Sequence, residues 1–162
     1  MHMNRRALLG AVMSCAVVTA CGGRDVVSRK SVFDRGYNPP LFPNETADLR
    51  VSINAWADYY EVPRKLVHAQ VQRESTHNPA ARNGPYYGLM QILPQTARTM
   101  GFKGAPAELL DADTNLKYAV KYLRGAYLVA DGDSADAMKW YARGYYYEAK
   151  RLGLLQATGL RS

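Results

Sequence analysis

Apolar residues recur three or four positions apart in several stretches of this chain and alternate in none, which restricts the domain to packed helices. Leu49, Ile53, Trp56 and Tyr60 form one such stripe. Leu66, Val67, Ala69 and Val71 form a second, and Leu116, Val120, Leu123 and Tyr127 a third. A helix that buries one stripe needs other helices to bury it against. The expected fold class is therefore all-α, with about five to seven helices and enough chain, at 162 residues, for one domain with its own core.

Local chemistry marks where these helices start and stop. The first is expected from about Thr46 to Tyr60, and Pro63 sits at the first helical position of the next, which runs toward Glu74. Asn78 to Pro85 holds two Pro, two Asn and one Gly, so no helix passes through it. Gly88 to Leu93 reads as a short apolar turn of helix, and Pro94 starts another that stops at Gly101. Ala107 to Leu110 adds one more turn. Asp113 is the expected N-cap of the longest helix, about Thr114 to Ala130, and Asp131-Gly132-Asp133 breaks it. Ser134 or Asp136 caps a last helix running past Tyr141 toward Lys150. No strand is expected.

The N-terminus reads differently. Asn4-Arg5-Arg6 is a short basic start, and Ala7 to Ala20 is an uncharged apolar run shorter than a bilayer span, the layout of an export signal. Val18-Thr19-Ala20-Cys21 looks like a lipobox, which makes Cys21 the expected lipidated residue and new N-terminus. Residues 1–20 are then a signal peptide, 21–45 a lipidated terminus and flexible tether rich in Pro, and 46–162 the domain. With Cys15 removed in the signal, no disulfide forms within the domain. The export route, general or twin-arginine through Arg5-Arg6, stays open. The chain carries 21 Lys and Arg against 14 Asp and Glu, a formal charge of +7, which suits an anionic polymer. A nucleic-acid module accounts for that charge but for nothing in the export signal, so a carboxylate-bearing wall glycan is the better partner. The histidines are His2, His68 and His77; with His2 in the signal and no free Cys, no metal site and no cofactor are expected.

Glu74 is the candidate for chemistry. A carboxylate at a helix C-terminus faces the negative end of the helix dipole, and burial beside apolar neighbours adds to the cost of its charge. Both raise its pKa, as a general acid working near neutral pH requires.

Four blocks around it are informative in order: Glu74-Ser75 with Pro79 and Ala81; Gly88-Leu89-Met90-Gln91-Ile92 with Pro94, Thr96 and Ala97; Asn115-Leu116, Ala119 and Tyr122-Leu123; and Trp140-Tyr141-Ala142-Arg143-Gly144. Together, over about Val51 to Gly144, they resemble the family 1 lytic transglycosylases, the SLT domain with a lysozyme-like fold around a substrate cleft. The loop between Glu74 and Gly88 is one residue shorter than the usual family spacing, Asn83 stands where Ser is common, and Ala142 replaces an Asn.

The resemblance implies that Glu74 is the catalytic acid and base, that Gln91 and Tyr141 face the cleft, and that Tyr141 hydrogen-bonds and orients the glutamate. Ser75, Asn83, Tyr86, Tyr87, Gly88 and Met90 join the expected substrate-binding set, with Tyr86 and Tyr87 at the rim, Met90 as a wall and Gly88 allowing close approach. It also implies peptidoglycan as substrate. One glutamic acid protonates the β-1,4 bridging oxygen between N-acetylmuramic acid and N-acetylglucosamine, and the sugar's own 6-hydroxyl closes a 1,6-anhydro ring, so no second carboxylate is needed. A muramidase of the same fold, or a non-catalytic peptidoglycan-binding lipoprotein, are the alternatives. The expected setting is the cell envelope, as a lipid-anchored monomer on the periplasmic face, at the outer membrane in a Gram-negative host.

Overall fold

The computed structural model describes residues 36–161, and the expected signal peptide and Cys21 lie outside them. Among the described residues there are six α-helices: α1 (Ala47–Tyr59), α2 (Arg64–Ser75), α3 (Pro94–Thr99), α4 (Ala112–Val129), α5 (Ser134–Arg143) and α6 (Tyr146–Arg151). A 3₁₀ turn spans Pro106–Leu110. The all-α expectation holds. Among the described residues no helix is long and apolar enough to cross a membrane.

α4 is the axis of the core. Its Leu116, Ala119, Val120, Leu123 and Ala126 are fully buried, and it packs against α1, α3, α5 and the 3₁₀ turn, while α1 packs against α2. Each large apolar side chain so buried contributes roughly 1.5–3 kcal/mol. The cap of α4 is Asp111, two residues earlier than expected: its Oδ1 accepts from Thr114 N–H at 2.8 Å. Asp113 is engaged elsewhere, accepting from Trp56 Nε1 on α1 at 2.7 Å. Asp133 caps α5 through Asp136 N–H at 2.7 Å, in place of Ser134 or Asp136. The last helix is two helices, because Gly144 adopts φ 82° and ends α5.

Two further expectations are corrected. A small hairpin pairs β1 (Arg82–Asn83) with β2 (Tyr86–Tyr87), antiparallel, turning at Gly84-Pro85. Gly88 to Leu93 is not helical, since Gly88 and Gln91 have φ 71° and 46°; the segment is a tight turn closed by reciprocal bonds between Tyr87 and Ile92.

The expected tether also ends early. Arg50, on α1 and 6% exposed, donates to both carboxylate oxygens of Glu45, to the carbonyls of Pro39 and Pro40, and to Asn38 Oδ1. Asn44 Nδ2 reaches the Thr76 carbonyl at 3.1 Å, and Phe42 stacks on His77 with centroids 4.9 Å apart. Residues 37–45 thus form a strap on the domain. Prolines that read as linker are held because one buried guanidinium spreads its donors over successive strap residues.

Candidate active site

Glu74 lies in the last turn of α2, its side chain 21% exposed. Gln70, one turn earlier on the same helix face and fully buried, donates Nε2–H to Glu74 Oε1 at 2.8 Å. The Arg73 guanidinium stands 3.2 Å from the same oxygen. Burial raises the carboxyl above its ordinary range, and Arg73, by its charge and hydrogen bond, offsets part of that rise. The result is a carboxyl that holds its proton to a higher pH than a solvated glutamate.

A cleft of about 340 Å³ opens beside it, lined by Arg73, Glu74, Asn83, Tyr86, Gln91, Tyr141 and Ala142. An adjoining hollow of about 210 Å³ shares Tyr86, Gln91, Tyr141 and Ala142 and adds Ile92, Leu93, Thr96, Tyr122, Arg143 and Gly144. Among the described residues that line these spaces, Glu74 is the one carboxylate. The hairpin supplies one wall, which is why Asn83 and Tyr86 arrive opposite the helix end although the sequence shows only a loop there.

Gln91 is clamped. Its Nε2 donates to the carbonyls of Ala81, at 3.1 Å, and Gly88, at 2.8 Å, so its Oε1 is the atom left without a protein partner. Tyr141 lines the cleft, but its hydroxyl donates to the Met90 carbonyl at 2.9 Å rather than to Glu74. The expected orienting bond is therefore made by Gln70. Burial, and next the charge of Glu74, push the Tyr141 phenol well above its usual pKa, so it stays neutral.

Ser75, Met90 and Tyr87 act differently from the sequence reading. Ser75 Oγ donates back to the Val71 carbonyl at 3.3 Å, and Ser75 lines neither space. Met90 is fully buried and contributes backbone, not a cleft wall. Tyr87 lies under the Arg82 guanidinium at 4.6 Å, away from the cleft lining. Gly88 permits the expected close approach, here of backbone as well as of a side chain: a Cβ there would stand 2.3 Å from both Asn115 Nδ2 and the Leu109 carbonyl.

Asn115, Gln70 and Arg73 are among the residues that sequence reasoning did not assign to the site. Asn115, fully buried on α4, accepts from Met90 N–H at 3.0 Å and donates to the carbonyls of Tyr87 and Leu109, both at 2.8 Å. It ties the turn carrying Gln91 to the core. The signal for Gln70 was its spacing, four residues before Glu74 on a helix.

The domain is helical, and one partly buried glutamic acid lines its cleft. Residues 51–156 match the family described as Transglycosylase SLT domain, and the chain belongs to that family. It is 29% identical over 132 residues to a protein named membrane-bound lytic murein transglycosylase E from Buchnera aphidicola subsp. Acyrthosiphon pisum (strain APS), a match covering 75% of this chain and 60% of that relative. The chain thus spans well under the full length of that relative. No solved structure matches the chain significantly.

Proposed function

We propose that this chain is a peptidoglycan lytic transglycosylase in which Glu74 is first acid and then base. The observation that carries the reading is Glu74 itself, a carboxyl with a raised pKa, held by Gln70 in a cleft lined by no second carboxylate among the described residues. Family membership and the relative's name support it.

Protonated Glu74 gives its proton to the glycosidic oxygen as the C1–O bond of the muramic acid residue breaks. The substrate's acetamido group stabilises the charge left at C1. Glu74, now a carboxylate, removes the proton of the 6-hydroxyl as that oxygen bonds to C1, which closes the 1,6-anhydro ring and restores the acid. Gln70 keeps Oε1 oriented through both steps. Arg73 and Arg143, on the lining of the two connected spaces, suit the carboxylates of the glycan. Tyr86 offers an aromatic face at 42% exposure.

Export, lipidation at Cys21 and residence in the cell envelope complete the proposal, resting on the order of basic start, apolar run and Val18-Thr19-Ala20-Cys21. Glu74→Gln tests the core of it: purified peptidoglycan should be solubilised by the wild type and not by the variant, with the same thermal unfolding for both. A Glu74→Gln protein that still releases soluble fragments at the wild-type rate would overturn the assignment. Cys21→Ser should move the protein from the membrane fraction to the soluble one.

A further inference from the structure

Behind the catalytic helix end, on the side covered by the strap, three buried groups converge that the proposed reaction does not use. Glu45 comes from the strap, His68 from α2, and His77 from just beyond it. His68 Nδ1 is 3.5 Å from Glu45 Oε1, and His77 Nε2 is 3.9 Å from the same oxygen. One donor atom from each of the three residues falls within 4.8 Å of the others, and all three side chains are fully buried.

The outer partners fix which nitrogens face inward. His68 Nε2 lies 3.0 Å from Asn54 Oδ1, and His77 Nδ1 lies 3.0 Å from Gln72 Oε1. Both amide oxygens are acceptors, so each outer ring nitrogen carries the hydrogen and each inner one presents a lone pair. Those inner atoms, His68 Nδ1 and His77 Nε2, have no hydrogen-bond partner in the protein. Arg50 holds the carboxylate in place through both oxygens.

We propose that Glu45, His68 and His77 form a binding site for one divalent transition-metal ion of the Zn²⁺ type, which staples the strap to the C-terminal end of α2. Two neutral imidazoles and one carboxylate are a common zinc donor set, and nitrogen donors disfavour Ca²⁺ and Mg²⁺. Tetrahedral bonds of about 2.0–2.1 Å place ligand atoms roughly 3.3 Å apart, so the Oε1 distances of 3.5 and 3.9 Å shorten on binding and the two imidazole nitrogens, within 4.8 Å of each other, draw together around the ion. A single proton satisfies one imidazole lone pair and leaves the other buried against the carboxylate; a cation takes all three. The hydrogen bonds from the outer ring nitrogens to Asn54 and Gln72, and from Arg50 to the carboxylate, are the kind of support that ligating groups receive. Phe42, stacked on both imidazoles at 4.9 and 5.9 Å, and Tyr37, 5.6 Å from His68, shield the position.

The test uses the full chain carrying Cys15→Ser and Cys21→Ser, with no polyhistidine tag, and Zn²⁺ or Co²⁺ as the probe. Titration calorimetry should give one Zn²⁺ per chain, with a rise in Tm that Mg²⁺ does not produce, and Co²⁺ should give the visible d–d bands of a four-coordinate site. His77→Gln and His68→Gln should each abolish binding, and His2→Gln should not. Asn54→Leu should weaken it by about 10- to 100-fold. X-ray absorption on Zn²⁺-loaded protein with both histidines intact should count two imidazole ligands, which keeps the test decisive if the histidine variants do not fold. No saturable Zn²⁺ binding by that protein, fewer than two imidazoles in the absorption spectrum, or binding that persists in folded His77→Gln or His68→Gln would overturn the proposal.

Discussion

Replacing Asn115 should destabilise the domain far more than its size suggests. The side chain serves three backbone groups: Met90 N–H at 3.0 Å and the carbonyls of Tyr87 and Leu109 at 2.8 Å. In Asn115→Leu the Tyr87 carbonyl keeps its bond from Ile92 N–H, at 3.1 Å, so it is not stranded. Met90 N–H and the Leu109 carbonyl lose the partner shown for each. Two buried orphans at about 1–3 kcal/mol each give roughly 3 kcal/mol once the gain from a more apolar side chain is set against them. With a urea m-value of about 2 kcal/mol/M, the unfolding midpoint should fall by roughly 1.5 M. Asn115→Asp separates hydrogen bonding from packing, because it matches the shape but sets an acceptor-only carboxylate against two carbonyls. It should be at least as damaging. A midpoint shift below about 0.3 M for Asn115→Leu, or a tolerated Asn115→Asp, would refute the reasoning.

Activity should fall as pH rises through the pKa of Glu74, because the first step needs its proton. Burial has moved that pKa up while Arg73 holds it down, with the Tyr141 phenol facing the same site and staying neutral. Arg73→Gln should therefore carry the basic limb of the kcat/KM profile to higher pH; a shift to lower pH counts against the assignment. Tyr141→Phe removes the bond to the Met90 carbonyl and should cost about 0.5–1.5 kcal/mol of stability by thermal unfolding. Its pH profile should keep the wild-type limb, since the hydroxyl does not touch Glu74. Gly88→Ala combines a positive φ of 71° with a Cβ 2.3 Å from the Leu109 carbonyl, so circular dichroism should find it largely unfolded or severely destabilised.

What was legible in the sequence was local. Thr46, Pro63 and Pro94 mark helix starts because capping and proline chemistry act within a few residues, and Thr46 Oγ1 does accept from Leu49 N–H. Glu74 stood out because a helix stop follows it at once. The misses have a common cause, which is partners distant in sequence. Asp113 looked like a cap until Trp56, 57 residues away, took its carboxylate. Tyr141 was expected on Glu74, yet it meets a carbonyl 51 residues back. Glu45 was assigned to a tether because prolines precede it, and nothing local announces that Arg50, His68 and His77 converge on it. The hairpin was hidden by its length, since two-residue strands carry no alternating pattern.

The central claim, one glutamic acid passing a proton out and back with the sugar's own hydroxyl as nucleophile, is tested most directly by digesting peptidoglycan in ¹⁸O-labelled water and weighing the products. The account predicts 1,6-anhydromuramic ends, lighter by one water than reducing ends and free of ¹⁸O, from the wild type, with no products from Glu74→Gln. Reducing ends carrying ¹⁸O would contradict it and make the enzyme a muramidase.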